Sequence, residues 1–303
     1  MAVFSISEHY VLGLFKPGAT FKYKNNIYTV LIAGKPICSF GEPKTDIYVL
    51  AKSCKHEIEL KISFKQANAE FLENKINSIR AEQIFGSDWN NIIKNALTKI
   101  AHKFKNRPVV FFNKKGKTEE GCITLGWKFE LLNVPSGDLS AIVPLTRKQK
   151  LDVYAGTSLR DDKKDSYVNG KQICESGIAN CIIFSDIAKI VNIQDAVNSI
   201  IDMDDYIDNY AGNIYFACKA LNYRSLYSCN GNIIGKYDGN RPLSVYIKWS
   251  AYKGHLLGEF VFDEPLLRGG NYAYAHLREA LDELGINSTN DFDSSLLINV
   301  KYN

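Results

Sequence analysis

Three ionisable residues in the first quarter of the chain have the types and spacing needed to cleave a phosphate ester. Asp46 opens one apolar segment, and Glu59 and Lys61 lie in a second segment, Glu57–Gln66, where apolar and polar residues alternate. In a strand this alternation puts Glu59 and Lys61 on the same face. Two neighbouring carboxylates repel unless a cation lies between them. If Asp46 lies beside Glu59, the pair predicts a Mg²⁺ site, because Mg²⁺ is commonly held by one or two carboxylates plus a substrate phosphate.

The chemistry that fits such a site is hydrolysis of a phosphodiester. This reaction requires an activated water and neutralisation of the charge that develops on the phosphate, and a metal ion supplies both. Lys61 has three open roles: it orients the attacking water, helps to deprotonate it, or places a positive charge against the transition state. The alternative for all three residues is a solvated strand face with cross-strand ion pairs.

The elements that must position these residues read as strands followed by helices. Alternation predicts a hairpin over Phe21–Ile32 with its turn at Asn25-Asn26. Further expected elements are strands at Asp46–Leu50 and Ile58–Phe64, a helix with Leu72, Ile76 and Ile79 on one face, a helix over Trp89–Ile100, and a strand at Pro108–Phe112.

From about Gly116 the chain reads as short strands separated by polar turns. These are expected at Phe129–Val134, Ala141–Leu145, Asn180–Phe184, Ile214–Leu221, Leu243–Trp249 and Leu256–Phe262. A helix is expected from Gln194 to about Tyr210, and a last helix from a cap at Asn271 to Gly285. The predicted organisation is a catalytic core over residues 1–115 and a β-rich DNA-recognition segment with a C-terminal helix over residues 116–303, with one continuous domain as the alternative.

The motif and the sequence segments that contain it, Gly41–Asp46 and Glu59–Gln66, resemble those of the PD-(D/E)xK nuclease superfamily, and of type II restriction endonucleases in particular. The resemblance covers about Phe21–Phe112. It implies an α/β (α+β) fold with a mixed central sheet flanked by helices, and it assigns metal binding and cleavage to Asp46, Glu59 and Lys61. The family's proline directly before the aspartate is replaced here by Thr45, with Pro43 three residues ahead of Asp46.

Other residues are secondary candidates. Glu42 is a further metal ligand or a solvated turn residue, and Glu57 is interpreted as part of a strand face. Lys65 and Gln66 could contact a DNA phosphate just past the site. More distant candidates for DNA contact are the following basic or amide residues in polar turns: Lys115, Arg160, Asn169, Lys171, Arg224 and Arg241.

Composition excludes several other classes of protein. The seven cysteines show no C-x-x-C pair and the five histidines stand isolated, which disfavours zinc sites, disulfide frameworks and histidine-based nucleases. No stretch approaches the length of a membrane span and the N-terminus lacks a secretory pattern, so a cytoplasmic protein with no membrane partner is expected. The net charge of +4 permits DNA binding without requiring it.

The resemblance predicts a type II restriction endonuclease, a site-specific deoxyribonuclease that hydrolyses double-stranded DNA with Mg²⁺. A homodimer on a palindromic site is expected. A cognate methyltransferase in the same restriction–modification system is also expected, without a stable complex. Three alternatives stay open: a repair or recombination nuclease with the same core, a non-catalytic DNA-binding protein, and an α+β protein with no nucleic-acid role.

Overall fold

The computed structural model describes residues 3–39, 41–74 and 76–303, which form a mixed α+β protein. The α-helices of this part of the chain are α1 (Val3–Leu14), α2 (Ser78–Phe85), α3 (Trp89–Thr98), α4 (Ala101–Lys105), α5 (Arg147–Ala155), α6 (Asp161–Lys164), α7 (Ile193–Asn198), α8 (Met203–Asn209) and α9 (Gly270–Glu283). None of the helices described is long and apolar enough to cross a membrane.

Twenty strands accompany these helices in the described residues. They are β1 (Thr20–Tyr23), β2 (Asn26–Gly34), β3 (Ile47–Lys52), β4 (Glu57–Gln66), β5 (Phe71–Glu73), β6 (Pro108–Phe111), β7 (Cys122–Leu132), β8 (Ser140–Val143), β9 (Tyr167–Val168), β10 (Lys171–Gln172), β11 (Cys181–Ser185), β12 (Ile200–Asp202), β13 (Ile214–Tyr227), β14 (Ile233–Lys236), β15 (Pro242–Leu243), β16 (Val245–Tyr252), β17 (His255–Val261), β18 (Arg268–Gly269), β19 (Leu297–Ile298) and β20 (Lys301–Tyr302). Short 3₁₀ helices occupy Ile187–Lys189, Thr289–Asp291 and Ser294–Leu296.

The chain forms two compact units, and each consists of two separate stretches of sequence. The first unit comprises Met1–Glu70 and Pro144–Gly212, and the second comprises Phe71–Val143 and Asn213–Asn303. This organisation differs from the division at residue 115 that was expected from sequence. The expected boundary treated the chain as two consecutive blocks, whereas residues 144–212 return to the sheet that residues 20–66 begin.

The first unit is built on a mixed six-stranded sheet in the order β1-β2-β3-β4-β11-β12. Strands β2, β3 and β4 pair antiparallel, and β11 then lies parallel to β4. One face of the sheet contributes Val49, Leu60, Ile62 and Phe64 to a core that Val11 of α1 and Phe15, directly after α1, complete. The functional candidates Asp46, Glu59 and Lys61 therefore all lie at or beside the two central strands β3 and β4.

The second unit contains a ten-stranded sheet whose longest hydrogen-bonded path is β14-β13-β7-β16-β17-β19. The long antiparallel pair of β7 and β13 forms its centre, with β6 also pairing with the start of β7. Helix α4 packs against this sheet through the ring of Phe104, whose centroid lies 5.0 Å from that of Trp127 in β7.

Several expected elements are confirmed. The β1–β2 hairpin forms, although its turn residues are Lys24 and Asn25, both at positive φ, one position earlier than predicted. The predicted strands at 46–50 and 58–64 appear as β3 and β4. The helix predicted over 89–100 appears as α3, and the last helix appears as α9.

Two predicted helices were wrong in extent, and four helices of the described residues were missed. The segment predicted to be helical after Gln66 forms β5, paired with β7, before α2 begins at Ser78. The helix expected over 194–210 is broken by Ile200–Asp202, because these residues pair with β11 as β12 and Asp202 then caps α8. Helices α1, α4, α5 and α6 were not predicted, and the cap residue of α9 is Gly269 rather than the predicted Asn271.

The core of the first unit depends on the apolar face of β4, and a substitution on that face tests its contribution to stability. Ile62 is fully buried, so Ile62→Ala should lower the free energy of unfolding by roughly 2–5 kcal/mol through reduced burial and a residual cavity. The matched control Val191→Ala, at a residue 70% exposed, should change it by less than about 0.5 kcal/mol. Urea denaturation of both variants measures the difference, and equal effects would contradict this position for Ile62.

Candidate functional site

Asp46 lies at the start of β3, where the neighbouring strand β4 is about to end. Its backbone N–H donates to the Ile62 carbonyl at 2.9 Å, and its Oδ2 accepts the Phe64 backbone N–H at 2.8 Å. The same Oδ2 lies 3.6 Å from Nζ of Lys65, and both side chains are partly buried. The carboxylate is thus held by the backbone of β4 and paired with a lysine from that strand.

The register of β3 and β4 separates Glu59 from Asp46. Glu59 pairs with Leu50, and Ile62 pairs with Ile47, so that Asp46 lies next to Ser63. Glu59 is four positions from Ser63 along β4, a distance of roughly 14 Å at about 3.4 Å per residue. The structure therefore does not bring the two carboxylates of the predicted motif together.

Glu59 instead takes part in a different set of contacts. Its carboxylate accepts a hydrogen bond from the Tyr48 hydroxyl, and burial together with that bond raises the pKa of Tyr48. A cavity of about 480 Å³ lies beside the pair and is lined by Glu57, Lys171 and Cys174 among other residues. Glu59 is thus part of a pocket wall.

Lys61 and Lys65 both lie two positions from Ser63, but their side chains have different surroundings. Nζ of Lys61 lies 4.0 Å from Glu175 Oε2, and its side chain is 10% exposed. Lys65 contacts Asp46 and is 25% exposed. Of the two lysines, Lys65 has the contact with Asp46 that a reaction centre would require.

Helix α1 adds a second carboxylate to the surroundings of Asp46. Glu8 Oε2 lies 2.7 Å from Nζ of Lys35. Burial raises the pKa of Glu8, and the negative charge of Asp46 raises it further. Burial lowers the pKa of Lys35, but the hydrogen bond to Glu8 and the charges of Glu8, Asp46 and Glu42 outweigh it and leave the pKa raised. The charge of Asp46 thus acts on both Glu8 and Lys35.

Two further contacts fix this end of the sheet. Gln66 Nε2 donates to Ser7 Oγ, which links the end of β4 to α1. The backbone N–H groups of Lys44 and Thr45 donate to the Gly177 carbonyl at 3.0 and 3.2 Å, which holds the loop before Asp46. A Cβ on Gly177 would lie 1.8 Å from the Lys163 carbonyl oxygen, so this close approach requires glycine.

A third tether holds the centre of β4. The Asn180 side chain accepts the Lys61 backbone N–H at 2.8 Å and donates to the Glu59 carbonyl at 2.9 Å. Because Asn180 directly precedes β11, this amide fixes where β11 begins beside β4.

The other predicted site residues are spread over both units. Glu42 is exposed in the loop before Asp46, Arg160 forms an ion pair with Asp162, and the Asn169 side chain donates to the Ala33 carbonyl. Lys171 is exposed on β10 beside the cavity next to Glu59. In the second unit, Lys115 lies in the β6–β7 turn, Arg224 lies on β13, and Arg241 pairs with Asp238.

Sequence reasoning missed Glu8, Lys35 and Ser63. Glu8 and Lys35 lie outside the motif, and only the fold brings α1 and the end of β2 to Asp46. Ser63 shares the polar face of β4 with Glu59 and Lys61, so the strand alternation could have included it once the register was known.

Within the described residues, no group of three or more histidine, cysteine or acidic side chains is arranged to hold a metal ion. Asp46 and Glu8 are two carboxylates that interact electrostatically, and Mg²⁺ is often held by one or two carboxylates with waters and substrate phosphates completing its coordination. The donor set fits a magnesium site of that open kind.

Comparison with known proteins identifies no relative: the chain matches no family model, no curated protein and no solved structure.

The raised pKa of Glu8 predicts a pH dependence of stability. A carboxyl group whose pKa lies higher in the folded than in the unfolded protein binds its proton more tightly when folded. Its contribution to stability is therefore greatest at low pH and is lost as the pH rises from the ordinary value of 4.5 through the folded pKa.

Urea unfolding of wild type and Glu8→Gln, from about pH 4 to about pH 7, measures this contribution. The free energy of unfolding of wild type minus that of the variant should fall with rising pH. A difference that rises with pH would show that Glu8 has a lowered pKa and would contradict the site geometry.

Proposed function

We propose that this chain is a magnesium-dependent nuclease that hydrolyses double-stranded DNA at specific sequences, in the manner of type II restriction endonucleases, and that the first unit is its restriction-endonuclease-like core. The observation that carries the proposal is the 3.6 Å contact between Lys65 Nζ and Asp46 Oδ2 at the adjoining ends of β3 and β4. A carboxylate and a lysine held on neighbouring central strands are the groups that metal-assisted hydrolysis of a phosphodiester requires.

In this proposal the lysine of the motif is Lys65 and not Lys61. The segment Ser63-Phe64-Lys65 repeats the polar-x-lysine spacing of Glu59-Leu60-Lys61 four residues further along β4, at the level of Asp46. Ser63 then occupies the position of the second carboxylate, and it cannot supply a negative charge. Glu8, which interacts electrostatically with Asp46, brings a carboxylate from α1 instead.

Asp46 and Glu8 are the residues that would hold the ion. Mg²⁺, when bound, lowers the pKa of a coordinated water and offsets the charge of the phosphate. The backbone N–H of Phe64 fixes Asp46 through Oδ2, and Oδ1 accepts no hydrogen bond from the described residues. Asp46 is therefore oriented before substrate arrives, and one of its oxygens remains available as a ligand.

Lys65 would act on the reacting phosphate. Its ammonium group already lies beside Asp46. When a scissile phosphate is bound next to the ion held by Asp46, this positive charge would stabilise the negative charge that develops on the phosphate oxygens. Lys65 could also donate a hydrogen bond to the attacking water. Lys35, paired with Glu8, would limit the repulsion between the two carboxylates while no cation is present.

Sequence-specific cleavage of both strands leads to three further proposals. The substrate is double-stranded DNA, and two copies of the chain act on a palindromic site, because two equivalent subunits present two equivalent reaction centres to the antiparallel strands. A methyltransferase of the same specificity would protect the host DNA in the cytoplasm.

The two lysines of β4 provide a matched pair of variants for the test. With unmethylated phage DNA and Mg²⁺, wild type should produce discrete fragments, and EDTA should abolish them. Lys65→Ala should reduce the cleavage rate by roughly 10²–10³-fold, because it removes a charge that stabilises the transition state. Lys61→Ala removes a lysine paired with Glu175 and should retain most of the activity.

If Lys61→Ala lowers the cleavage rate more than Lys65→Ala does, the reaction centre consists of Asp46, Glu59 and Lys61, as the motif spacing predicts. The carboxylates give a second comparison, because Asp46→Asn should abolish cleavage and Glu59→Gln should not. Circular dichroism establishes that each variant is folded. Absence of cleavage by wild type with several divalent metals and DNAs would contradict the proposed function.

A further inference from the structure

One end of the sheet in the second unit carries basic residues on two neighbouring hairpins. The β6–β7 connection contains Lys114, Lys115 and Lys117, and the β13–β14 hairpin contains Arg224 and Lys236. Strand β7 lies between β6 and β13. Ile123, at the start of β7, pairs with Val110 of β6 on one side and with Tyr223 of β13 on the other. The two hairpins therefore lie side by side, and we call their five basic residues the basic hairpin surface.

The register of the second hairpin opposes two cations directly. Arg224 of β13 pairs with Lys236 of β14. Like charges in directly opposed positions destabilise a strand pair. Neither side chain forms an ion pair with any residue in the described part of the chain, so this repulsion has no internal compensation there.

The same sheet shows how an opposed pair of cations is otherwise accommodated. Lys128 and Lys219 also face each other across β7 and β13. Lys128 lies 3.4 Å from Asp238 Oδ2, and Lys219 donates to Ser136 Oγ at 2.8 Å and lies over the Phe71 ring. The fold supplies partners for this pair, whereas the pair at the hairpin faces solvent.

Basic residues outnumber acidic ones on the two hairpins themselves, and the 3₁₀ segment Thr289–Asp291, which contacts both of them, adds the carboxylate of Asp291. Lys114 pairs with Glu119 at 3.0 Å, and Glu120 is the other carboxylate of the β6–β7 connection. The β13–β14 hairpin from Arg224 to Lys236 contains no acidic residue. Strand β14 is exposed along its whole length, so a ligand can reach Lys236 without rearrangement of the sheet.

The spacing of the strands suits an extended polyanion. The four strands β14, β13, β7 and β6 lie about 4.8 Å apart and span roughly 14 Å. Over that length duplex DNA presents about eight phosphate charges. The turn of the second hairpin, Ser228–Asn232, also exposes Asn230 and Asn232, whose amides can donate to phosphate oxygens or to base edges.

We propose that the basic hairpin surface binds the phosphate backbone of duplex DNA. This inference rests on the proposed function for the choice of DNA as the polyanion. It assigns to the second unit a binding role separate from cleavage, with Lys115, Lys117, Arg224 and Lys236 as the phosphate contacts. The binding is independent of sequence, and it lets the protein bind DNA before a recognition site is found.

The test measures binding without cleavage. Wild type is titrated into fluorescent duplex DNA in EDTA, and fluorescence anisotropy gives the affinity over a series of salt concentrations. A triple variant, Lys115→Ala, Arg224→Ala and Lys236→Ala, should reduce the slope of log K against log salt by roughly 0.9 for each phosphate that is no longer neutralised, or by about 2.7 in all. Lys99→Ala, at an exposed lysine at the end of α3, is the matched control and should leave the slope unchanged.

Two outcomes would overturn the proposal: a slope in the triple variant equal to that of Lys99→Ala, or tighter binding of an RNA duplex than of DNA by wild type. Because the substituted residues are exposed or half-exposed and two of the substitutions relieve the Arg224–Lys236 repulsion, thermal unfolding should occur at the wild-type temperature or slightly above it. The charge-reversed Arg224→Glu should weaken binding more than Arg224→Ala. A protein that binds DNA with the expected slope but never cleaves it would support this surface and contradict the proposed nuclease.

Discussion

The antiparallel register of β3 and β4 is the constraint on which the candidate site depends. With Ile47 opposite Ile62, Asp46 lies beside Ser63, its carboxylate reaches the Phe64 N–H, and Lys65 reaches the carboxylate. A shift of one residue would turn the apolar face of β4 to the opposite side of the sheet and remove Ile62 from the core. The burial of that face therefore fixes the position of the charged groups.

Contacts from outside the β3–β4 pair hold this register in place. The Asn180 amide bridges the backbone of Glu59 and Lys61, and the Gly177 carbonyl accepts the N–H groups just before Asp46. Helix α1 brings Glu8 to the same end of the sheet. The first unit is thus closed by residues from far along the sequence, which explains why its two stretches, 1–70 and 144–212, form one compact body.

Local patterns were sufficient to predict the central elements, because hairpins and amphipathic segments are determined by neighbouring residues. The β1–β2 hairpin, β3, β4 and α3 followed from periodicity alone. Which charged residues meet was beyond such patterns, since it depends on strand register and on pairing between β4 and β11, about 120 residues apart. The motif spacing therefore favoured Glu59 and Lys61, while the geometry places Lys65 beside Asp46 and adds Glu8. The proposed activity itself stays a prediction.

The central claim, that Asp46 rather than Glu59 marks the metal position, can be tested without catalysis. Mn²⁺, as a paramagnetic substitute for Mg²⁺, broadens the NMR signals of nearby amides. If the metal binds at Asp46, substoichiometric Mn²⁺ should broaden the backbone signals of Phe64 and Lys65 first, and Asp46→Ala should remove this effect. Broadening centred on Glu59 and Leu50, which persists in Asp46→Ala and is abolished in Glu59→Ala, would contradict it.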